Sequence, residues 1–143
     1  MPVFLGLDYG TRRIGIAVSD ESGCVAFAVG VHVEGRDGSV LAHLTALVEE
    51  RAVTQVVLGL PLRADGSEGD IAGRARRFGE RLAGHLGLPV TMVDERYTSQ
   101  AAERAIALRG RPARRGEVDD VAAQMILQDH LDSLAARDRG DSS

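Results

Sequence analysis

VFLGLDYGTRRIGIAVSDESGCVAFAVGVHV (residues 3–33) decides how the rest of the chain is read. It holds three apolar runs, residues 3–9, 14–19 and 24–33, each short enough for a strand and too short for an average helix. Gly10-Thr11 punctuates the first join. Asp20-Glu21-Ser22-Gly23 at the second reads as a hairpin turn. Three strands joined this closely predict an antiparallel meander.

Beyond residue 33 the period changes. Val40, Leu41, Leu44, Leu47 and Val48 recur at helical spacing, which predicts a helix over 39–52. Residues 55–60 (QVVLGL) read as a strand buried on both faces. A turn-rich loop, 61–69, follows. Ser67 with Asp70 three residues on resembles a capping box and starts a helix that runs to about Leu86, with Gly87 as its C-cap. Arg74, Arg76, Arg77 and Arg81 punctuate a weakly apolar face of that helix. Residues 89–94 (PVTMVD) read as another buried strand. Thr98 can cap a helix over 99–109, residues 109–116 form a basic loop, and a last helix covers 118–136. The order β-β-β-α-β-α-β-α-α predicts one α/β domain over residues 1–136: a mixed five-stranded sheet flanked by helices. The polar tail 137–143 is expected to fray.

Composition narrows the function classes. The chain has 143 residues and a net charge of −4, which argues against coating nucleic acid by bulk charge. All 17 basic residues are arginine, whose planar fork pairs bidentately with phosphate. Cys24 is the one cysteine, so a disulfide scaffold is excluded and a cytoplasmic setting is expected. His32, His43, His85 and His130 are expected to lie apart from one another and from Cys24, which excludes a zinc cluster. No apolar run reaches the roughly 18 residues of a membrane span. On its predicted strand, Cys24 reads as core or interface packing. Two tyrosines and three phenylalanines are too few for a base-stacking platform.

The carboxylates carry the chemistry. Asp8 ends the first strand inside an apolar run, where a lone charge is costly. Asp94 and Glu95 end the last strand, and Asp119 and Asp120 open the last helix. Singly, each has a plain reading: a turn cap, a partner for Arg96, or complementation of the helix dipole. Jointly, two strand ends and a helix start meet at one edge of an α/β sheet, where ligands bind. Three carboxylates there make a hard oxygen cage suited to Mg²⁺ or Mn²⁺, able to hold two ions about 4 Å apart for phosphodiester hydrolysis. Ala122, Ala123, Ile126, Leu127, Leu131 and Leu134 define the buried stripe of the last helix. Asp119 lies nearer its centre, so Asp119 is expected to face the sheet and Asp120 the solvent. Alternation places Asp94 and Glu95 on opposite faces without choosing between them.

The segment Leu5-Gly6-Leu7-Asp8-Tyr9-Gly10-Thr11-Arg12-Arg13-Ile14-Gly15-Ile16-Ala17-Val18-Ser19-Asp20 resembles the opening signature of the YqgF (RuvX) family. So do Leu58-Gly59-Leu60-Pro61-Leu62 with Asp65-Gly66-Ser67-Glu68-Gly69, Asp94-Glu95-Arg96-Tyr97-Thr98, and Val118-Asp119 with Ala122-Ala123 and Ile126-Leu127-Gln128. These motifs span residues 5 to about 132 in the family's order. The resemblance implies a ribonuclease H-like fold, which the element order also matches. It implies a nuclease for 5′-end maturation of pre-16S ribosomal RNA, or one like a Holliday junction resolvase. It assigns Asp8, Glu95 and Asp119 as the catalytic, metal-holding carboxylates. Basic positions that the family commonly fills with lysine are arginine here.

Gly10, Thr11 and Arg12, next to Asp8, can meet a phosphate through backbone, hydroxyl and guanidinium, or can form a plain hairpin turn. Arg96 and Thr98 flank Glu95, and Arg96 is expected to orient the carboxylates more than to bind substrate. Arg109, Arg111, Arg114 and Arg115 concentrate charge in one loop that can close on nucleic acid or stay solvated. The expected partner is nucleic acid, RNA first and structured or single-stranded DNA second. It would be read by backbone and shape, by a monomer or weak homodimer. Asp8-x-Gly10-Thr11 also resembles the phosphate loop of actin-like ATPases, but those carry two copies of the fold and this chain holds one. A binding module whose carboxylates are structural is the remaining class.

Overall fold

The computed structural model describes residues 2–36, 38–61, 65, 67–94 and 117–138, the last segment by its backbone alone at 117–119 and 138. The meander forms as expected: β1 (Phe4–Tyr9), β2 (Arg13–Ser19) and β3 (Ala26–Val33) pair antiparallel. Then come α1 (Val40–Arg51), β4 (Gln55–Leu60), α2 (Asp70–Leu86), β5 (Val90–Asp94) and α3 (Glu117–Asp138). β4 runs parallel to β1 and β5 parallel to β4, so the sheet order is β3-β2-β1-β4-β5. The helix expected over 99–109 and the loop over 109–116 lie outside the described residues.

Alternation along the strands feeds two cores. Leu5, Leu7, Ile14, Ile16, Val18 and Leu58 point to one face and pack with Leu44 and Leu47 of α1 and Phe78 and Leu82 of α2. Phe4, Ala17, Ala26 and Val57 point to the other and meet Ala123, Ile126, Leu127 and Leu131 of α3. Each such large side chain contributes about 1.5–3 kcal/mol on burial. α3 lies very close to β1: a Cβ on Gly6 would stand 2.7 Å from the Leu127 Cβ and 3.3 Å from the Ala123 carbonyl oxygen.

Several boundaries differ from the expectation, each for a local reason. β3 starts at Ala26 because the Cys24 and Val25 amides donate to the Asp20 carboxylate, at 2.9 and 3.0 Å, instead of to the sheet. Cys24 is therefore exposed and off the strand, not core packing. Ser67 does not cap α2: its amide and hydroxyl both donate to Asp65 Oδ1 (2.9 and 2.6 Å), and the N-cap is Gly69, with no side-chain cap. Gly87 does form the left-handed C-cap, φ 66°. β5 is an edge strand and only partly buried, unlike β4. α3 runs through Asp138, two residues into the stretch expected to fray. His32 and His43 are not apart: their Nδ1 atoms lie 2.7 Å from each other, joining β3 to α1.

Candidate functional site

β1, β4 and β5 are parallel, so their carboxyl ends share one edge of the sheet, the edge where α/β sheets bind ligands: Asp8 pairs with Gly59, and Gly59 with Val93. Across the antiparallel side Asp8 pairs with Gly15. Asp8 is half-buried and shares the face of Phe4 and Gly6, the α3 face. Its cross-strand neighbours on both sides are glycines, so neither projects a side chain beside the carboxylate. Filled by valine or leucine, as elsewhere in these strands, those positions would crowd it.

α3 brings its first turn to the same place. It runs antiparallel to β1: the His130 ring lies 6.0 Å from that of Phe4, while Leu127 and Ala123 lie over Gly6. Asp8 is two strand residues beyond Gly6, about 6.6 Å. Residue 119 is four helical residues before Ala123, about 6 Å. Strand end and helix start thus reach the same level, with the positive end of the α3 dipole toward Asp8.

Met92 packs into the core under α1 and α2, whereas Val93 packs under α3. Asp94, exposed and opposite Leu60, therefore shares the Met92 face and points away from Asp8's side of the sheet. Asp120 departs from the expectation that it faces solvent. It is half-buried and its Oδ1 is closed off from solvent. The reason is helical phase: Asp120 lies seven and eleven residues before Leu127 and Leu131, both buried, so the apolar stripe is wide enough to include it. The Asp119 side chain lies outside the described residues. So do Glu95, Arg96, Thr98, Arg109, Arg111, Arg114 and Arg115.

The β1–β2 turn lies beside Asp8. Thr11 and Arg12 are exposed, and the Arg12 carbonyl accepts from the Glu34 amide at 2.8 Å, tying the turn to the end of β3. Gly10 is needed by the turn itself, since a Cβ there would stand 2.5 Å from the Arg13 carbonyl oxygen. That supports the plain-turn reading of Gly10, and leaves Thr11 and Arg12 as the groups that can reach a ligand. Tyr9 points to the opposite face and packs on Phe78 of α2, ring centroids 5.2 Å apart.

Two features escaped the sequence reading. The flanking of Asp8 by Gly15 and Gly59 depends on register, which a single strand does not display. Glu68 and Arg76 form a two-point ion pair at the start of α2, 2.6 and 2.9 Å. Their spacing of eight residues across a helix start follows no simple helical rule. The pair holds the Glu68 carboxyl below its ordinary range.

The family model of RuvX, described as Holliday junction resolvase, matches residues 2–133. Relatives bear the name "Putative pre-16S rRNA nuclease". One from Anaeromyxobacter dehalogenans is 45% identical over 133 residues, covering 92% of this chain and 97% of the relative. One from Syntrophus aciditrophicus is 41% identical, covering 92% and 89%. Among solved structures, Thermus thermophilus RuvC in complex with a Holliday junction substrate superimposes with TM-score 0.60 at 17% identity, covering 95% of this chain and 97% of that one. Fowlpox virus resolvase with its junction DNA gives 0.56 at 10%, covering 92% and 98%. At such low identity these two establish the fold, an α/β ribonuclease H-like sheet. With sequence relatives above 40% identity over nearly its whole length, the chain belongs to the RuvX family.

Proposed function

We propose that this chain is a metal-dependent nuclease that hydrolyses phosphodiester bonds in RNA and acts in 5′-end processing of pre-16S rRNA in the cytoplasm. The observation that carries the reading is the setting of Asp8. It is a half-buried carboxylate at the carboxyl edge, flanked by two glycines and level with the first turn of α3. The names of the relatives supply the substrate.

A divalent cation fits this edge by the chemistry of its donors. Asp8 offers hard oxygen, and its register partners on both sides, Gly15 and Gly59, carry no side chain. With Asp94 turned to the opposite face, Glu95 is the acid of that strand end left to join it, and Asp119 is the acid of the α3 start that the family resemblance assigns. Asp8, Glu95 and Asp119 would hold Mg²⁺ or Mn²⁺. When bound, the cation supplies Lewis acidity at the scissile phosphate. Among the described residues alone no three ligands cluster, as expected when two of these three side chains lie outside them. The chain's own groups place the substrate. Thr11 and Arg12 take a phosphate beside Asp8, with Gly10 shaping the turn that presents them. Arg96, Thr98, Arg109, Arg111, Arg114 and Arg115 hold the flanking backbone. Such contacts read shape more than base, and suit a monomer or weak homodimer.

The test is cleavage of end-labelled single-stranded RNA, single-stranded DNA and a four-way DNA junction, with Mn²⁺, Mg²⁺ or chelator, by wild type and Asp8→Asn. Metal-dependent RNA cleavage that Asp8→Asn abolishes is expected. Paired symmetric cuts in the junction without RNA cleavage would replace this reading with a resolvase, the activity in the family's description.

A further inference from the structure

The four arginines of α2 do not share one role. Arg76 is committed to Glu68, and Glu80 lies near enough to add to its stabilisation. Arg74, Arg77 and Arg81 are exposed and make no ion pair among the described residues. At 100° per residue they fall within a 60° stripe on the solvent side, away from the buried Ala72, Ala75, Phe78, Gly79 and Leu82. The stripe extends about 10 Å along the axis. Of the acids of α2, Asp70 sits in the first turn, where it complements the dipole, and Glu80 adds its field at Arg76.

The same face carries an unexplained cost. Gly73 and Gly84 lie inside the helix on its outer side, and a Cβ on Gly84 would meet nothing within 4 Å. The Met92 and Leu58 side chains press close on Gly79, but nothing does so on Gly84. Alanine there would favour the helix by about 1 kcal/mol. Low-profile residues beside unpaired guanidinium groups suit a surface that another backbone approaches closely. α2 is also joined to the candidate site, since Leu60, Ala72, Ala75 and Tyr9, the residue after Asp8, pack together at its first turns.

We infer that Arg74, Arg77 and Arg81 form a phosphate-backbone track that carries the flank of a nucleic-acid substrate away from the catalytic edge, over the outer face of α2. This rests on the nuclease reading and deepens it. α2 and Asp8 lie on opposite faces of the sheet, so only a substrate extending well beyond the scissile phosphate reaches both. The outer surface of a helix layer stands roughly 15 Å from the sheet. The substrate class is therefore a long or structured RNA, with short oligonucleotides held at the edge alone.

The experiment measures binding of polyuridylate and of a uridine tetranucleotide in chelator across a salt series. The proteins are wild type, the triple variant Arg74→Gln/Arg77→Gln/Arg81→Gln, and Arg51→Gln as a control at the far end of α1. For polyuridylate, the triple variant is expected to bind more weakly and to lower the log–log salt slope by about 2, at roughly 0.7 per lost phosphate contact. Tetranucleotide affinity should be unchanged, and Arg51→Gln should match wild type. An unchanged slope in the triple variant overturns the track while leaving the nuclease reading intact. Equal losses on both probes would also overturn it, because the arginines would then act at the edge. Absence of polyuridylate binding by wild type overturns the track together with the RNA reading on which it rests.

Discussion

Asp8 shows how much a single position depends on its neighbours. Its register partners, Gly15 and Gly59, project no side chain beside the carboxylate. Asp8→Asn keeps the shape and removes the charge that a cation needs. Cleavage should fall on the order of a thousandfold, several kcal/mol of transition-state stabilisation, with the thermal midpoint little changed. Single-turnover cleavage beside a thermal melt checks both halves. Two other glycines separate packing from flexibility. Gly6→Ala drives a Cβ against Leu127 Cβ and the Ala123 carbonyl, neither of which moves without the helix, and should destabilise by about 1–3 kcal/mol. Gly79→Ala meets first the end of the Met92 side chain, which can swing aside, and gains helix propensity of up to about 1 kcal/mol. Its stability should stay far closer to wild type in denaturant titration.

Among the elements, the β2–β3 turn is the most sensitive to acid. The Asp20 carboxylate accepts from the Ser22 hydroxyl and from the Val25 and Cys24 amides, which lowers its pKa from 3.8 to about 2. A lowered native value means that the unfolded chain binds the proton first. The stabilisation is therefore whole above pH 3.8, declines as pH falls through about 2, and is gone below it. Asp20→Asn should unfold more easily than wild type at neutral pH, with the difference closing toward pH 2, as acid-series melts would show. His130 works in a higher window. Burial, and then Arg137, hold its pKa below 6.5, and its ring packs edge-on against Phe4. The neutral form is the native one, so stability should decline as pH drops from 6.5 through the lowered native value, then level off. His130→Leu should flatten that part of the profile. At this scale the sequence was readable where a residue acts on its immediate neighbours: Gly87 as a cap, the turn at residues 20–23, the periodicity of α1. It was less so where a polar side chain had a choice. Ser67 had an Asp65 oxygen within reach as well as a helix to cap, and Asp20 drew two amides out of β3.

At the scale of the molecule, the meander and the parallel crossovers follow from the order of apolar runs, and with them the sheet edge at which Asp8 lies. Legibility ends at register. Asp94 and Glu95 look alike in a strand whose two faces are both apolar, and only the packing of Met92 and Val93 on different cores tells which face Asp94 takes. The glycines beside Asp8 and the contact of His32 with His43 likewise arise from strands and helices distant in sequence. The two edges of the finished sheet also differ. β3 is eight residues long, carries no arginine or acid, and leaves Phe27 53% exposed beside exposed Val25 and Val29. Natural sheets guard such an edge with charge or a bulge; here there is only the register shift at Ile16/Ala17. Three side chains cover far less than the roughly 800 Å² per partner of a stable interface, so the edge should drive association only in concentrated or heated protein. Phe27 pairs with Val18, at the end of the meander remote from the Asp8–Gly15 pair. Phe27→Lys should therefore raise the concentration at which light scattering appears on heating and leave RNA cleavage at the wild-type rate. A fall in cleavage would mean that this edge, and not only the carboxyl edge, takes part in holding substrate.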